Sequence, residues 1–175
     1  MSAWGGTLLS ELTKAMTELA ADERTLFVGQ AVRYPGQIAY QSFEGVPMER
    51  RIELPVAEDF QVGLCSGLAL AGYVPVSFFP RWDFLIIAAN QIINHLDKMP
   101  HMGWQPKVII RTAVGRSKPL DPGPQHTQNH THAIRQMLTT VNVIELFKPE
   151  DVLPAYRMAL SQPGSFIMVE RQDRY

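Results

Sequence analysis

The chain has 175 residues, 46% apolar and 19% charged, with 16 Lys and Arg against 17 Asp and Glu and a formal net charge of −1. That length suits one domain with a core of its own, and a near-neutral balance without a Lys/Arg block argues against an electrostatic grip on nucleic acid or on a membrane surface. No apolar run reaches the roughly 18 residues of a spanning helix, the N-terminal sequence lacks the basic and apolar regions of a signal peptide, and the single cysteine, Cys65, allows no disulfide within the chain, which suits a reducing cytoplasm.

Leu8, Leu9, Leu12, Met16 and Leu19 recur at helical spacing within residues 7–21 and predict an amphipathic helix resting on a sheet. The apolar run 25–29 reads as a buried parallel strand. Residues 30–49, with Pro35, Gly36, Gly45 and Pro47 and no clear period, read as a loop and a candidate binding edge. The stretch 52–79 is the densest in signals. An apolar approach ends at Pro55 and the carboxylate pair Glu58-Asp59 follows. An apolar segment with Gly63, Ser66, Gly67, Ala69, Ala71 and Gly72 then predicts a close-packed helix leading into a strand over 73–79. Glycine costs a helix about 1 kcal/mol relative to alanine, so two of them four apart imply a close approach from outside. Spacing alone makes Glu58 an ordinary first-turn acid favoured by the helix dipole, Cys65 a buried structural thiol, and Pro75 a residue of the strand's start rather than its centre.

Residues 83–99 predict a third helix with Phe84, Ile87, Ala88, Gln91, Ile92 and His95 on one broad face, ended by Pro100. On that spacing Phe84 is a core aromatic. Residues 107–112 predict another buried strand, and 113–131 a loop rich in proline and glycine. His126, His130 and His132 in and after that loop lack the spacing of a zinc site, and no metal ligand is assigned. A strand over 141–147, a helix over 148–160 with Pro149 in its tolerated first turn, and a strand over 165–170 follow. Strands alternating with helices predict an α/β fold with a mostly parallel sheet and helices on both faces.

Three segments carry a resemblance: Glu58 with Gly63, Gly67 and the Ala71-Gly72 pair before a strand; the stretch FLIIAANQIIN over 84–94; and Gln125-His126-Thr127-Gln128. In these the chain resembles the pyrimidine-binding domain of transketolase-like thiamine-diphosphate enzymes, and most closely the beta subunit of the 2-oxo-acid dehydrogenase decarboxylase component. The resemblance covers most of the chain. It implies that Glu58 is catalytic and hydrogen-bonds the cofactor's pyrimidine ring, that Phe84 stacks on that ring, and that His126 lines the substrate or cofactor channel as a second catalytic candidate. Val56, Phe60 and Val62 would shelter Glu58, while Asp59 would face solvent or a partner chain.

The family's Gly-Asp-Gly stretch for metal and diphosphate is absent from this sequence. The expectation is therefore a single pyrimidine-binding domain over 1–175, with neither diphosphate-binding nor C-terminal domain. A partner subunit would hold Mg2+ and the diphosphate in a heterodimer or heterotetramer, with the glycines of the Glu58 helix at the interface. The implied reaction is cleavage of a carbon–carbon bond next to a carbonyl with acyl or ketol transfer, from a 2-oxo acid or as a transketolase-type two-carbon transfer. Substrate choice would fall to residues 33–43 and 116–130, with Arg111 and Arg116 as candidate contacts to an anion. Phe60 stands where the family has glycine, which keeps a non-catalytic assembly or regulatory subunit as the rival. A Rossmann-type nucleotide domain is disfavoured because no G-x-G-x-x-G follows the first strand.

Overall fold

The computed structural model describes residues 7–36, 38–115 and 121–171. Its centre is a six-stranded parallel sheet in the order β2-β1-β3-β4-β6-β5. The strands are β1 (Thr25–Gly29), β2 (Arg51–Glu53), β3 (Val74–Phe79), β4 (Ile109–Val114), β5 (Asn142–Leu146) and β6 (Phe166–Arg171). β1, β3, β4 and β6 are near-continuous apolar runs because both of their faces are covered, which is the composition that parallel sheets demand. The short edge strand β2 has no such run; it lies within the approach to Glu58 and pairs with β1, Phe27 opposite Arg51. Pro75 is the second residue of β3, which lies between β1 and β4; it stands near the strand's start, although the strand itself is central.

One face of the sheet is covered by α1 (Leu8–Leu19) and α5 (Pro149–Ser161), whose Leu12, Met16, Val152 and Tyr156 meet Phe27, Val76, Phe78 and Met168. Thr7 caps α1 by accepting from the Ser10 amide through its hydroxyl at 3.2 Å. The other face carries α2 (Glu58–Leu70), α3 (Trp82–Leu85), the winding that follows it, and α4 (Thr131–Met137), packed through Val62, Cys65, Trp82, Leu85, Ile92 and Ile134 on Val28, Phe79, Ile110 and Val169. α2 stops at Gly72, whose φ of +95° reverses the chain into β3.

The third helix differs from expectation. After α3 the chain winds as a 3-10 turn, Ile86–Ala88, and then as a π-helix, Gln91–Leu96. The changed pitch shifts the buried stripe, so Trp82, Leu85, Ala88, Ile92 and Leu96 are inside while Ile87 and His95 are exposed. Residues 30–49 are also more ordered than a plain loop. They contain 3-10 turns at Ile38–Phe43 and Met48–Arg50, and the buried Arg51 guanidinium donates to the carbonyls of Val32, Phe43 and Val46.

Candidate functional site

In a parallel sheet, whatever follows the strands collects at one edge. Glu58 follows β2, Phe84 follows β3 and His126 follows β4, so the topology brings the three predicted site residues to the carboxyl end of the sheet, Phe84 and His126 after adjacent strands and Glu58 beyond the intervening β1. Phe84 and His126 meet directly, with ring centroids 5.2 Å apart and planes inclined by 44°. His126 belongs to a short turn, Pro124–His126, and is half-buried.

Glu58 opens α2. Its side chain is only 6% exposed, and its carboxylate makes no hydrogen bond among the described residues. The preceding Ala57 offers no side-chain cap, so the first-turn amides favour an acid here through the helix dipole alone. Gln61, one turn on, fixes the position. Its Nε2 donates to the Phe78 carbonyl at 2.9 Å and to Ser77 Oγ at 3.0 Å, tying the first turn of α2 to β3. The end of β1 is built for this approach, because a side chain at Gly29 would place its Cβ 2.4 Å from the Phe78 carbonyl oxygen. Beside it, the Glu53 carboxylate accepts from the amides of Ala31, Val32 and Arg33 at 2.6, 2.9 and 2.8 Å, holding the turn after β1 where Ala31 has φ +57°.

Sequence reasoning missed Glu53 and Gln61, since an acid before a proline and a glutamine within a helix carry no local signature. It also missed Asp83, whose Oδ1 accepts from Gln128 Nε2 at 3.0 Å and thereby ties α3 to the His126 turn.

Several expectations need correction. Of the three apolar neighbours assigned to shelter Glu58, only Val62 is buried; Val56 and Phe60 are 75% and 57% exposed, because they face away from the sheet. Nothing in the described chain approaches Gly67, and Gly63 meets only the end of Gln91 at ordinary contact distance. Arg111 is not a substrate contact. It is fully buried, paired with Glu170 at 2.5 Å, donates to Ser42 Oγ at 2.6 Å and lies over the Phe43 and Phe78 rings. Arg116 falls outside the described residues. Asp59 is exposed and accepts from Gln91 Nε2 at 3.3 Å, as expected of a solvent-facing acid. His130 is half-buried and packs edge-on against Trp82, with centroids 6.1 Å apart, and His132 is exposed. Burial pushes the Cys65 thiol up to about 12, a hydrogen bond with Ser77 only partly opposing it, as befits a structural rather than reactive cysteine. Among the described residues no three His, Cys, Asp or Glu side chains cluster as a metal site, and no helix is long and apolar enough to cross a membrane.

A doubly covered parallel sheet with candidate residues at the carboxyl ends of its strands defines an α/β fold, and a solved structure shares it. A split-gene transketolase described as an inactive beta4 tetramer superposes with a TM-score of 0.75 over 97% of this chain and 52% of its own, at 18% identity. The relatives then narrow the class. Over 97% of its length the chain is 27% identical to the pyruvate dehydrogenase E1 component subunit beta of Rickettsia conorii, and over 53% of its length 33% identical to the 3-methyl-2-oxobutanoate dehydrogenase subunit beta of Mycobacterium tuberculosis. These matches cover 53% and 28% of those proteins, so the chain spans about half or less of the curated relatives' length. No protein-family model matches. The resemblance read from the sequence therefore holds: the chain is similar to beta subunits of 2-oxo-acid dehydrogenases and has a transketolase-like fold.

Proposed function

We propose that this chain is the pyrimidine-binding subunit of a split thiamine-diphosphate-dependent enzyme that cleaves a carbon–carbon bond next to a carbonyl and transfers an acyl or ketol unit, a 2-oxo acid being the first candidate donor. The observation that carries the reading is Glu58, a largely buried residue at the start of α2 whose carboxylate makes no hydrogen bond among the described residues, at the same sheet edge as the Phe84–His126 ring pair. The carboxylate oxygens keep access to solvent although the residue as a whole is buried, and a heterocycle with a ring nitrogen offers them a partner.

The residues present thus fit the pyrimidine end of the cofactor. Glu58 would hold a hydrogen bond at the pyrimidine nitrogen, Phe84 would lie against the ring and His126 would line the channel beside it. When bound, thiamine diphosphate supplies a carbon nucleophile and an electron sink. The work of this chain is to keep a proton at the Glu58 carboxyl within reach of that nitrogen and to exclude water around it. Diphosphate and Mg2+ are assigned to a partner subunit in a heterodimer or heterotetramer. The exposed Val56, Phe60, Ile86 and Ile87 give such a partner an apolar surface, and its arrival would close the shelter that the chain alone leaves open. The beta-subunit names of the relatives support this assembly. A cytoplasmic location rests on the lone buried cysteine alone; the similar beta subunit of Rattus norvegicus is named as mitochondrial.

Phe60 favours the rival reading, a non-catalytic assembly subunit, because a large exposed side chain stands two residues beyond the candidate acid. The experiment is co-purification of the chain with its native partner, followed by an assay of bound thiamine diphosphate and of turnover with Glu58→Gln. We expect the variant to assemble normally and to lose about 10²–10⁴-fold in turnover. Unchanged turnover removes Glu58 from the chemistry and leaves the assembly role.

A further inference from the structure

The two edges of the sheet are closed in different ways. β2 is 3 residues long, and the amide of its Arg51 is already given to the Met48 carbonyl. β5 is the last strand at the opposite edge, and its composition suits pairing. Residues 141–147, VNVIELF, hold a single charge and no proline, as segments that readily add strands do. Its inner side is fixed, since the Asn142 amide donates to the Ser165 carbonyl at 3.0 Å in register with β6. Main-chain groups alternate along a strand, so Asn142, Ile144 and Leu146 turn theirs towards β6 while Val143 and Glu145 turn theirs outward.

One side chain stands on that outward row. Arg135, exposed on α4, donates through Nη2 to the Val143 carbonyl at 3.0 Å and through Nη1 to Glu145 Oε1 at 2.9 Å. An ion pair this exposed adds little to stability, so its position carries the meaning. The planar guanidinium, anchored on Glu145, covers an acceptor that an incoming strand needs and sets charge in its path. We infer that Arg135 is a guard on the β5 edge and that the occupant it excludes is a second copy of this chain. With the guard removed, β5 meets the β5 of the second copy antiparallel about a two-fold axis at Ile144, and Val143 of each copy exchanges main-chain hydrogen bonds with Glu145 of the other. A second copy fits because the outward row is self-complementary about Ile144, and because the half-buried Val143 and Ile144 continue the apolar layers on the two faces of the sheet. The inference is independent of the thiamine-diphosphate reading, since β5 lies at the edge opposite to β2 and the Glu58 helix that follows it.

The test is sedimentation velocity of the full chain together with amide hydrogen exchange read by NMR, wild type against Arg135→Ala. Alanine favours a helix and the position is exposed, so the variant keeps the fold. Arg135→Ala is expected to show a species of twice the wild-type mass that grows with protein concentration. Exchange at the Val143 and Glu145 amides should slow about tenfold as that species forms. A variant that is merely loosened exchanges faster at these amides, not slower. Adding Val143→Pro removes an outward amide without touching the β6 ladder and should return the mass to that of wild type; where that proline disturbs the fold, the exchange readout decides alone. A wild-type mass at every concentration, amides at 143 and 145 that exchange no slower in Arg135→Ala, or association that survives Val143→Pro overturns the guard, the last by placing the contact on another face. Wild type that already protects both amides on self-association overturns it as well, because the edge then pairs with Arg135 in place.

Discussion

Asp97 is the residue on which the most hydrogen bonds converge. Fully buried at the end of the π-helix, it accepts from the amides of Thr139, Thr140 and Val141, from both threonine hydroxyls and from Lys98 Nζ at 2.8 Å. Burial by itself would raise its pKa, but these donors outweigh burial and hold the carboxyl well below the usual carboxylate range. A group whose pKa is depressed by folding contributes stability above its unfolded pKa of about 3.9, and that contribution fades as pH falls towards the folded value. Asp97→Asn should therefore cost about 2–4 kcal/mol near neutrality. The gap to the wild type should narrow as pH is lowered from about 5 to 2, read by urea denaturation at each pH. A gap that does not change with pH would mean that shape rather than charge holds the 139–141 turn.

At the scale of elements, α2 and the winding of residues 82–102 are where sequence and structure part. The predicted face places Ile87 and His95 inside, but the chain winds through the 3-10 turn that holds Ile87 and the π-helix that holds His95, and Leu85 and Leu96 are buried instead. α2 kept its predicted place, yet its glycines are not explained by packing within the chain. A side chain at Gly67 would meet nothing within 4 Å. Gly67→Ala should accordingly stabilise the isolated chain by about 0.5–1 kcal/mol, seen as a raised Tm. If the helix is covered by a partner, Gly67→Arg should leave the fold intact and prevent assembly, measured by size-exclusion chromatography of the reconstituted complex. Assembly of Gly67→Arg at wild-type strength would place the partner elsewhere.

At the scale of the whole molecule, one buried arginine joins segments that are far apart in the chain. Arg111 on β4 joins Glu170 on β6 and Ser42 in the 30–49 segment, and Tyr156 of α5 donates to Glu170 at 2.8 Å. One buried network thus ties two strands, a helix and a long irregular stretch. Removing one charge of a buried pair leaves the other uncompensated, so Glu170→Gln should cost about 3–5 kcal/mol in a single cooperative unfolding transition. A loss below about 1 kcal/mol would show that the network is replaceable by packing alone.

The sequence by itself determined the α/β class and five of the six strands, because buried parallel strands and helix starts are written in consecutive residues. Glu58, Phe84 and His126 became candidates through the family resemblance, since spacing alone made Glu58 a first-turn acid and Phe84 a core aromatic. Only the tertiary structure decided the roles of Arg111, Asp97, Gln61 and Asp83, since each acts on groups 16 to 69 residues away. It also decided which way Ile87, Val56 and Phe60 face. Local pattern carries periodicity. It does not carry the partner of a buried charge, the pitch of an irregular helix, or the side of the sheet on which a loop closes, because those follow from contacts that form only when distant segments pack.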